Sequence, residues 1–194
     1  MAAVLDFNLI CKGFIDLKHV LQEPEIDKLG IIVEKIFSID NWGWENKKNL
    51  QNISNIDKAL EKARIVVIHL KSHAVKDIGI YIEKIKEEYV YNLWINTEGY
   101  PEFDADKIEQ GNEYFFYKFF QIFEEIERKQ NIGFRILGVG VETNFQYAEE
   151  NISVIEKSEN MIAWVMNKNL DGNMVLADYR KKEIEGMNLI IYER

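Results

Sequence analysis

The chain has 194 residues, enough for one domain with a real core, and 47% hydrophobic against 29% charged residues exclude a disordered chain. One cysteine excludes an internal disulfide, while 2 prolines and 11 glycines leave no Pro/Gly linker, so a single domain over 1–194 is expected. The formal net charge is −9, which disfavours a nucleic-acid partner because phosphate would be repelled.

That charge is unevenly placed. Residues 98–113 carry Glu98, Glu102, Asp104, Asp106, Glu109 and Glu113 against Lys107 alone, a net of −5. Residues 142–160 carry Glu142, Glu149, Glu150, Glu156 and Glu159 against Lys157 alone, a net of −4. The rest of the chain is neutral. The N-terminal MAAVLDFNLICKGF lacks a basic region and is interrupted by Asp6, so it does not read as a signal peptide. No apolar stretch is long enough to span a bilayer as a helix. A cytoplasmic protein is expected, and the high Ile, Asn, Lys and Glu usage associates with an AT-rich, bacterial genome.

In chain order, Val4 to Cys11 alternates apolar Leu5, Phe7 and Leu9 with Asp6 and Asn8, the pattern of a half-buried strand. Glu23 to Phe37 reads as a helix, with Pro24 in its first turn and Ile26, Leu29, Val33, Ile36 and Phe37 on one face, weakened at Gly30. A polar loop, 38–52, carries Trp42-Gly43-Trp44. Ser54 is placed to cap a short helix ending at Ala63.

Ile65 to Leu70 is almost wholly apolar and predicts an interior strand. Ile78, Ile82, Ile85 and Tyr89 recur at helical spacing and predict another helix. Val90 to Asn96 alternates Tyr91, Leu93 and Ile95 with Asn92, Trp94 and Asn96, a strand with one wet or aromatic-covered face. Gly111 to Arg128 predicts a helix capped by Asn112, with Phe115, Phe119, Ile122 and Ile126 on one line and Phe116, Phe120 and Phe123 beside it. A helix so apolar is expected to be central and covered on nearly every side.

Phe134 to Val141 predicts a strand whose Gly138 and Gly140 permit close packing, followed by a helix over Tyr147 to Lys157. Met161 to Met166 and Met174 to Tyr179 flank the hairpin signal Asp171-Gly172, and Met187 to Tyr192 predicts a last strand. The expected fold class is α/β or α+β: a mixed β-sheet with packed helices and a C-terminal antiparallel meander.

No catalytic, metal or cofactor motif stands out. His69 and His73 span a strand end, too far apart along an extended chain for one ion. Asp104-Ala-Asp106 with Glu109 lacks the glycine and ligand series of a calcium loop. Gly138-Val-Gly140 lacks the third glycine of a dinucleotide cradle. Cys11 reads as a small buried hydrophobe, and His19 has no evident acid beside it. Trp42 and Trp44 either lap over the sheet and finish the core, the simpler reading, or anchor a partner.

Aromatic residues lie within both acidic segments: Tyr100 and Phe103 in the first, Phe145 and Tyr147 in the second. Rings surrounded by acid suit a basic protein, with charge steering the encounter and the rings supplying contact energy. The expected function is a non-enzymatic, cofactor-free binding module using Glu98, Tyr100, Glu102, Phe103, Asp104, Asp106, Glu109, Glu142, Phe145, Tyr147, Glu149 and Glu150. Its most concrete form is an immunity-type inhibitor that shields a basic toxin such as a nuclease. The alternatives are a small cytoplasmic enzyme with a scattered carboxylate/His site, or a homo-oligomeric accessory subunit.

Overall fold

A computed structural model describes residues 3–22, 24–27, 30–62, 64–72, 77–100, 103, 105–170 and 174–194. The strands are β1 (Val4–Cys11), β2 (Ile32–Ile39), β3 (Lys48–Asn49), β4 (Ile65–Lys71), β5 (Ile78–Ile85), β6 (Glu88–Asn96), β7 (Phe134–Asn144), β8 (Glu159–Asn167), β9 (Arg180–Glu183) and β10 (Leu189–Glu193). The helices are α1 (Leu17–Leu21), α2 (Pro24–Asp27), α3 (Ile56–Leu60), α4 (Glu113–Gln130) and α5 (Asn151–Lys157). All ten strands form one sheet in the order β3-β2-β4-β5-β6-β1-β7-β8-β10-β9. Every pairing is antiparallel, so the molecule is α+β and strand-rich, not α/β, and the sheet is not mixed.

The first strand sits at the centre. β1 pairs with β6 on one edge and β7 on the other, so its backbone hydrogen bonds are used on both sides. Its alternation divides the sheet. Leu5, Phe7, Leu9 and Cys11 belong to the main core with Leu17 of α1, Ile56, Ala59 and Leu60 of α3, and Phe116, Phe120 and Ile126 of α4. Asp6, Asn8 and Ile10 point to the opposite face, where no long helix lies.

The apolar helix is α4, and it is neither central nor covered all round. Only Phe116, Phe120 and Ile126 are buried among its apolar residues, while Phe115, Phe119 and Phe123 are half-buried. One stripe meets the sheet, with Phe119 stacked on Phe7 at 3.9 Å between ring centroids. Its C-terminus runs two residues beyond Arg128 and closes on Asn131, whose φ of 48° supplies the left-handed turn.

Two expected helices are strands. Among the described residues of 23–37, which leave out Glu23 and Leu29, only α2 is helical; Gly30, at φ 60°, bonds back to Asp27, and the β-branched run Ile31-Ile32-Val33 enters β2 against β4. Over 78–89 the spacing of four that suggests a helix is also twice the strand period, and Ile80 fills the position between Ile78 and Ile82. The chain turns at Lys86, φ 56°, and returns as β6.

Smaller departures have local causes. Ser54 donates to Asn52 Oδ1 rather than capping a helix, and Asn55 precedes α3 without a side-chain cap bond. The helix expected from Tyr147 begins only at Asn151, because Arg135 binds the carbonyls of Ala148 and Glu149. Met174 to Tyr179 is not a strand; β9 follows it and pairs with β10, which itself lies between β8 and β9. The C-terminal strands therefore do not form a simple meander. Ala63, His73 and the Asp171-Gly172 step lie outside the described residues.

Candidate functional site

Both acidic segments begin at one end of the sheet. There Val4 stands opposite Asn96, Leu5 opposite Val141, and Asn144 opposite Glu159. Val4 N–H donates to Glu142 Oε1 at 2.9 Å, tying the two chains together where Glu142 takes φ 49°. Exposed Glu98 and Glu159 flank this end, and Asp106 lines a hollow of about 240 Å³ there with Ala105, Val141, Asn160, Ile162 and Arg194.

From that shared end the segments part. The first crosses to the helix-covered face, where Phe103 packs on Phe115 at 4.1 Å and on Tyr100 at 5.9 Å. Glu109 is exposed, 3.5 Å from Lys107. The second crosses to the opposite face, where Phe145 lies 6.4 Å from Trp164 and the Tyr147 hydroxyl donates to Glu88 Oε2 at 3.0 Å. Glu149 reaches the far end and pairs with Lys86, which draws its carboxyl below the ordinary value. The structure thus brings Glu98, Asp106 and Glu142 to one end, with Glu149 and Glu150 at the other. Glu102 and Asp104 lie outside the described residues.

The second segment closes half of the opposite face. Beneath it Ile10, Ile136, Trp164, Met166, Ile190 and Tyr192 form a buried cluster with Val154 of α5. The Trp164 ring lies directly over Gly138 of the neighbouring strand, where an added Cβ would come within 2.6 Å of it. Arg135 holds this cover down: its Nε is 2.8 Å from Glu88 Oε1, and its terminal nitrogens donate to Glu88 Oε2 and the carbonyls of Ala148 and Glu149. An Arg–carboxylate ion pair with one charge-assisted hydrogen bond and these extra acceptors is a rigid clamp.

Among the described residues the other half of the same face is covered only in part, where the 40–47 loop lies over the small buried cluster of Phe37, Ile39, Ile65 and Val67. Trp94 lies over Gly79, where a Cβ would meet the indole at 2.4 Å, but the ring is only half-buried. Neighbouring ring centroids run Trp42–Tyr81 at 5.4 Å, Tyr81–Trp94 at 6.2 Å, Trp94–His69 at 6.0 Å, His69–Phe37 at 5.5 Å and Phe37–Trp44 at 5.8 Å. Six aromatic side chains from β2, the 40–47 loop, β4, β5 and β6 thereby make one shelf. Trp42 is 54% and Trp44 46% exposed, and they lap over the small buried cluster of Phe37, Ile39, Ile65 and Val67, which Tyr81 borders. Lys47 Nζ stands 3.7 Å above the Phe37 ring, a cation held by the shelf's own aromatics.

Two carboxylates border the shelf. Asp6 stands opposite Trp94 and is 8% exposed; Asn92 Nδ2 donates to its Oδ1, and Thr143 N–H and Oγ–H to its Oδ2, each at 3.1 Å. Asn92 also donates to Asn8 Oδ1 and Asn8 to Thr143 Oγ1, so this polar seam between the two halves is internally satisfied. Burial raises the Asp6 carboxyl above the usual range despite these bonds. Glu83, two residues from Tyr81 along β5, is raised for the same reason and bonds Trp42. Among the described residues neither carboxylate has an ion pair.

The candidates for chemistry are absorbed by structure. Cys11 is buried, and its thiol is pushed up to about 12, away from nucleophilic use. His19 Nδ1 lies 2.6 Å from Asp16 Oδ2, an acid three residues earlier that the sequence reading overlooked, yet the pair is exposed and Asp16 caps α1 through the amides of Lys18 and His19. Tyr117 of α4 joins Lys182 and Glu193, its hydroxyl raised by burial, in a polar pin between helix and sheet. Among the described residues no three His, Cys, Asp or Glu side chains converge as a metal site. No helix there is long and apolar enough to cross a membrane.

The open shelf was missed in sequence because its members come from five separate segments. The available signals were Trp42-Gly43-Trp44 and the alternation that put Trp94 on the less apolar face of its strand. No protein-family model matches the chain, and no curated protein or solved structure is significantly similar to it.

Proposed function

We propose that this protein is a non-enzymatic, cytoplasmic binding module for a basic protein, most concretely an immunity-type inhibitor that shields a basic toxin such as a nuclease. The observation that carries the reading is the charge: the whole excess of −9 lies in residues 98–113 and 142–160. Support comes from the convergence of Glu98, Asp106, Glu142 and Glu159 on one end of the sheet, where a basic partner would meet concentrated negative potential. Occupation of Cys11, His19 and Tyr117 by structural bonds favours binding over catalysis.

The test is capture from the source cells' lysate across a salt series, followed by association kinetics with the purified partner. Replacing Asp106 and Glu159 by lysine should slow association by about tenfold and flatten its salt dependence. A partner that is acidic, or an association rate unchanged by the double replacement, contradicts the reading.

A further inference from the structure

We infer that the open aromatic shelf is the contact site for an arginine side chain of the basic partner, received between Trp42, Tyr81 and Trp94 with Glu83 as its counter-charge. The inference rests on the proposed recognition of a basic protein and assigns it a surface. Three observations carry it.

The first is coverage. Trp94 and Trp164 occupy equivalent settings, each over a glycine of the next strand, but among the described residues only Trp164 is fully covered. Large half-exposed rings in contact with one another form a continuous patch, and such patches mark contact sites on a protein surface. The second is charge complementarity. Glu83 sits beside the rings, two residues from Tyr81 along β5, with Trp42 as its neutral partner and no ion pair among the described residues. A site of π-faces with an unneutralised carboxylate selects a cation over an anion or a neutral apolar group. The third is precedent within the molecule: the Lys47 ammonium already lies over Phe37 at the shelf's far side.

Arginine fits better than lysine. Its planar guanidinium stacks on an aromatic face while its fork bonds carboxylates, and it gives up hydration more readily than an ammonium. The acids at the sheet's end would then steer the partner, and the shelf would fix it, dividing rate from residence time.

The probe is a fluorescently labelled arginine-serine peptide, with a glutamine-serine peptide as its uncharged control, read by anisotropy. Trp42→Ala and Glu83→Gln should each weaken binding of the arginine peptide about tenfold. Glutamine keeps an oxygen for the Trp42 bond, so Glu83→Gln tests charge without opening the shelf, and far-UV circular dichroism checks that both variants are folded. The variant carrying Glu98→Gln, Asp106→Asn and Glu159→Gln should retain the dissociation rate.

Equal binding of the glutamine-serine peptide would overturn the inference, since charge would not be read. So would full affinity in both shelf variants with loss in the end variant; that result would leave the proposed function standing and move the contact to the sheet's end. Dimerisation of the free protein that Trp42→Ala abolishes would also overturn it, because a second copy would then cover the shelf. If the wild type ignores the arginine peptide, the shelf assignment falls, while the proposed function is judged separately on the salt-eluted partner.

Discussion

Trp94 and Trp164 lie on the same face of one sheet, each laid over a glycine of the adjoining strand, and they end in different surroundings. Trp164 is fully buried under residues 145–158, held by Arg135 and Glu88; Trp94 is half-buried in an open row of rings. The strand pairing is the same kind on both sides of β1, so the sheet itself does not decide the outcome. What differs is the connection. The chain between β7 and β8 travels back along the face, whereas the 40–47 loop between β2 and β3 reaches only its rim. Exposure of Tyr81 and Trp94 is thus a property of coverage among the described residues.

Replacing the two tryptophans should break this comparison most sharply. Trp164→Ala should cost about 3–5 kcal/mol by leaving a cavity in a closed cluster, whereas Trp94→Ala should cost about 1–2 kcal/mol because its ring is partly hydrated already. Denaturant unfolding of both variants measures the gap; equal losses would contradict it. Next in size is the clamp. Arg135→Ala should cost about 2–3 kcal/mol, since it strands Glu88 in a site where the pair is only 11% and 13% exposed. Amide hydrogen exchange should rise across 145–151 and stay unchanged across 40–47.

The glycines refine the same contrast. Gly138→Ala should destabilise by about 2 kcal/mol because the enclosed Trp164 ring has nowhere to move. Gly79→Ala, despite the closer approach, should cost about 1 kcal/mol or less, since Trp94 can swing outward into solvent. Thermal melts would rank the pair, and the reverse order would show that the shelf is the more rigid half.

These contrasts show why some of the molecule is legible in its sequence and some is not. Val4–Cys11, Ile65–Lys71 and the apolar core of β7 carry alternation or an unbroken apolar run that admits one reading. The long helix is legible from its apolar stripe, but Asn112 at its start bonds back to Glu109 and Lys107 and makes no side-chain cap bond, and its depth of burial is not legible, because a stripe of phenylalanines says nothing about how many neighbours surround it. Ile78 and Ile82 mislead because a spacing of four satisfies both periods; the step of three to Ile85 fits only a helix, and pairing with β4 and β6 nevertheless selects the strand. The charge-bearing segments are plain from composition. The shelf is not, because Phe37, His69, Tyr81 and Trp94 become neighbours only through the register of four strands.

Two smaller effects complete the comparison. Asp6 has its carboxyl raised above the ordinary 3.8, so the folded state holds that proton more tightly than the unfolded chain. Its contribution is therefore present below 3.8 and is lost as the pH rises through the folded-state value; Glu83 acts in the same direction. Stability measured from about pH 4 towards neutrality should fall less in Asp6→Asn than in the wild type; parallel curves would contradict the assignment. Smallest is Trp42→Ala, which should change stability by about 0.5 kcal/mol or less because the ring covers only the rim. A larger loss in a thermal melt would make Trp42 a core residue and weaken the case for a binding shelf.

The division of the face into a closed half and a receptive half is tested most directly by the four indole N–H resonances in a 15N-labelled sample titrated with the arginine-serine peptide. The signals of Trp42, Trp44 and Trp94 should move with increasing peptide while that of Trp164 stays fixed. Movement of Trp164 alone, or stillness of all four while amides of 98–113 and 142–160 shift, would contradict the account.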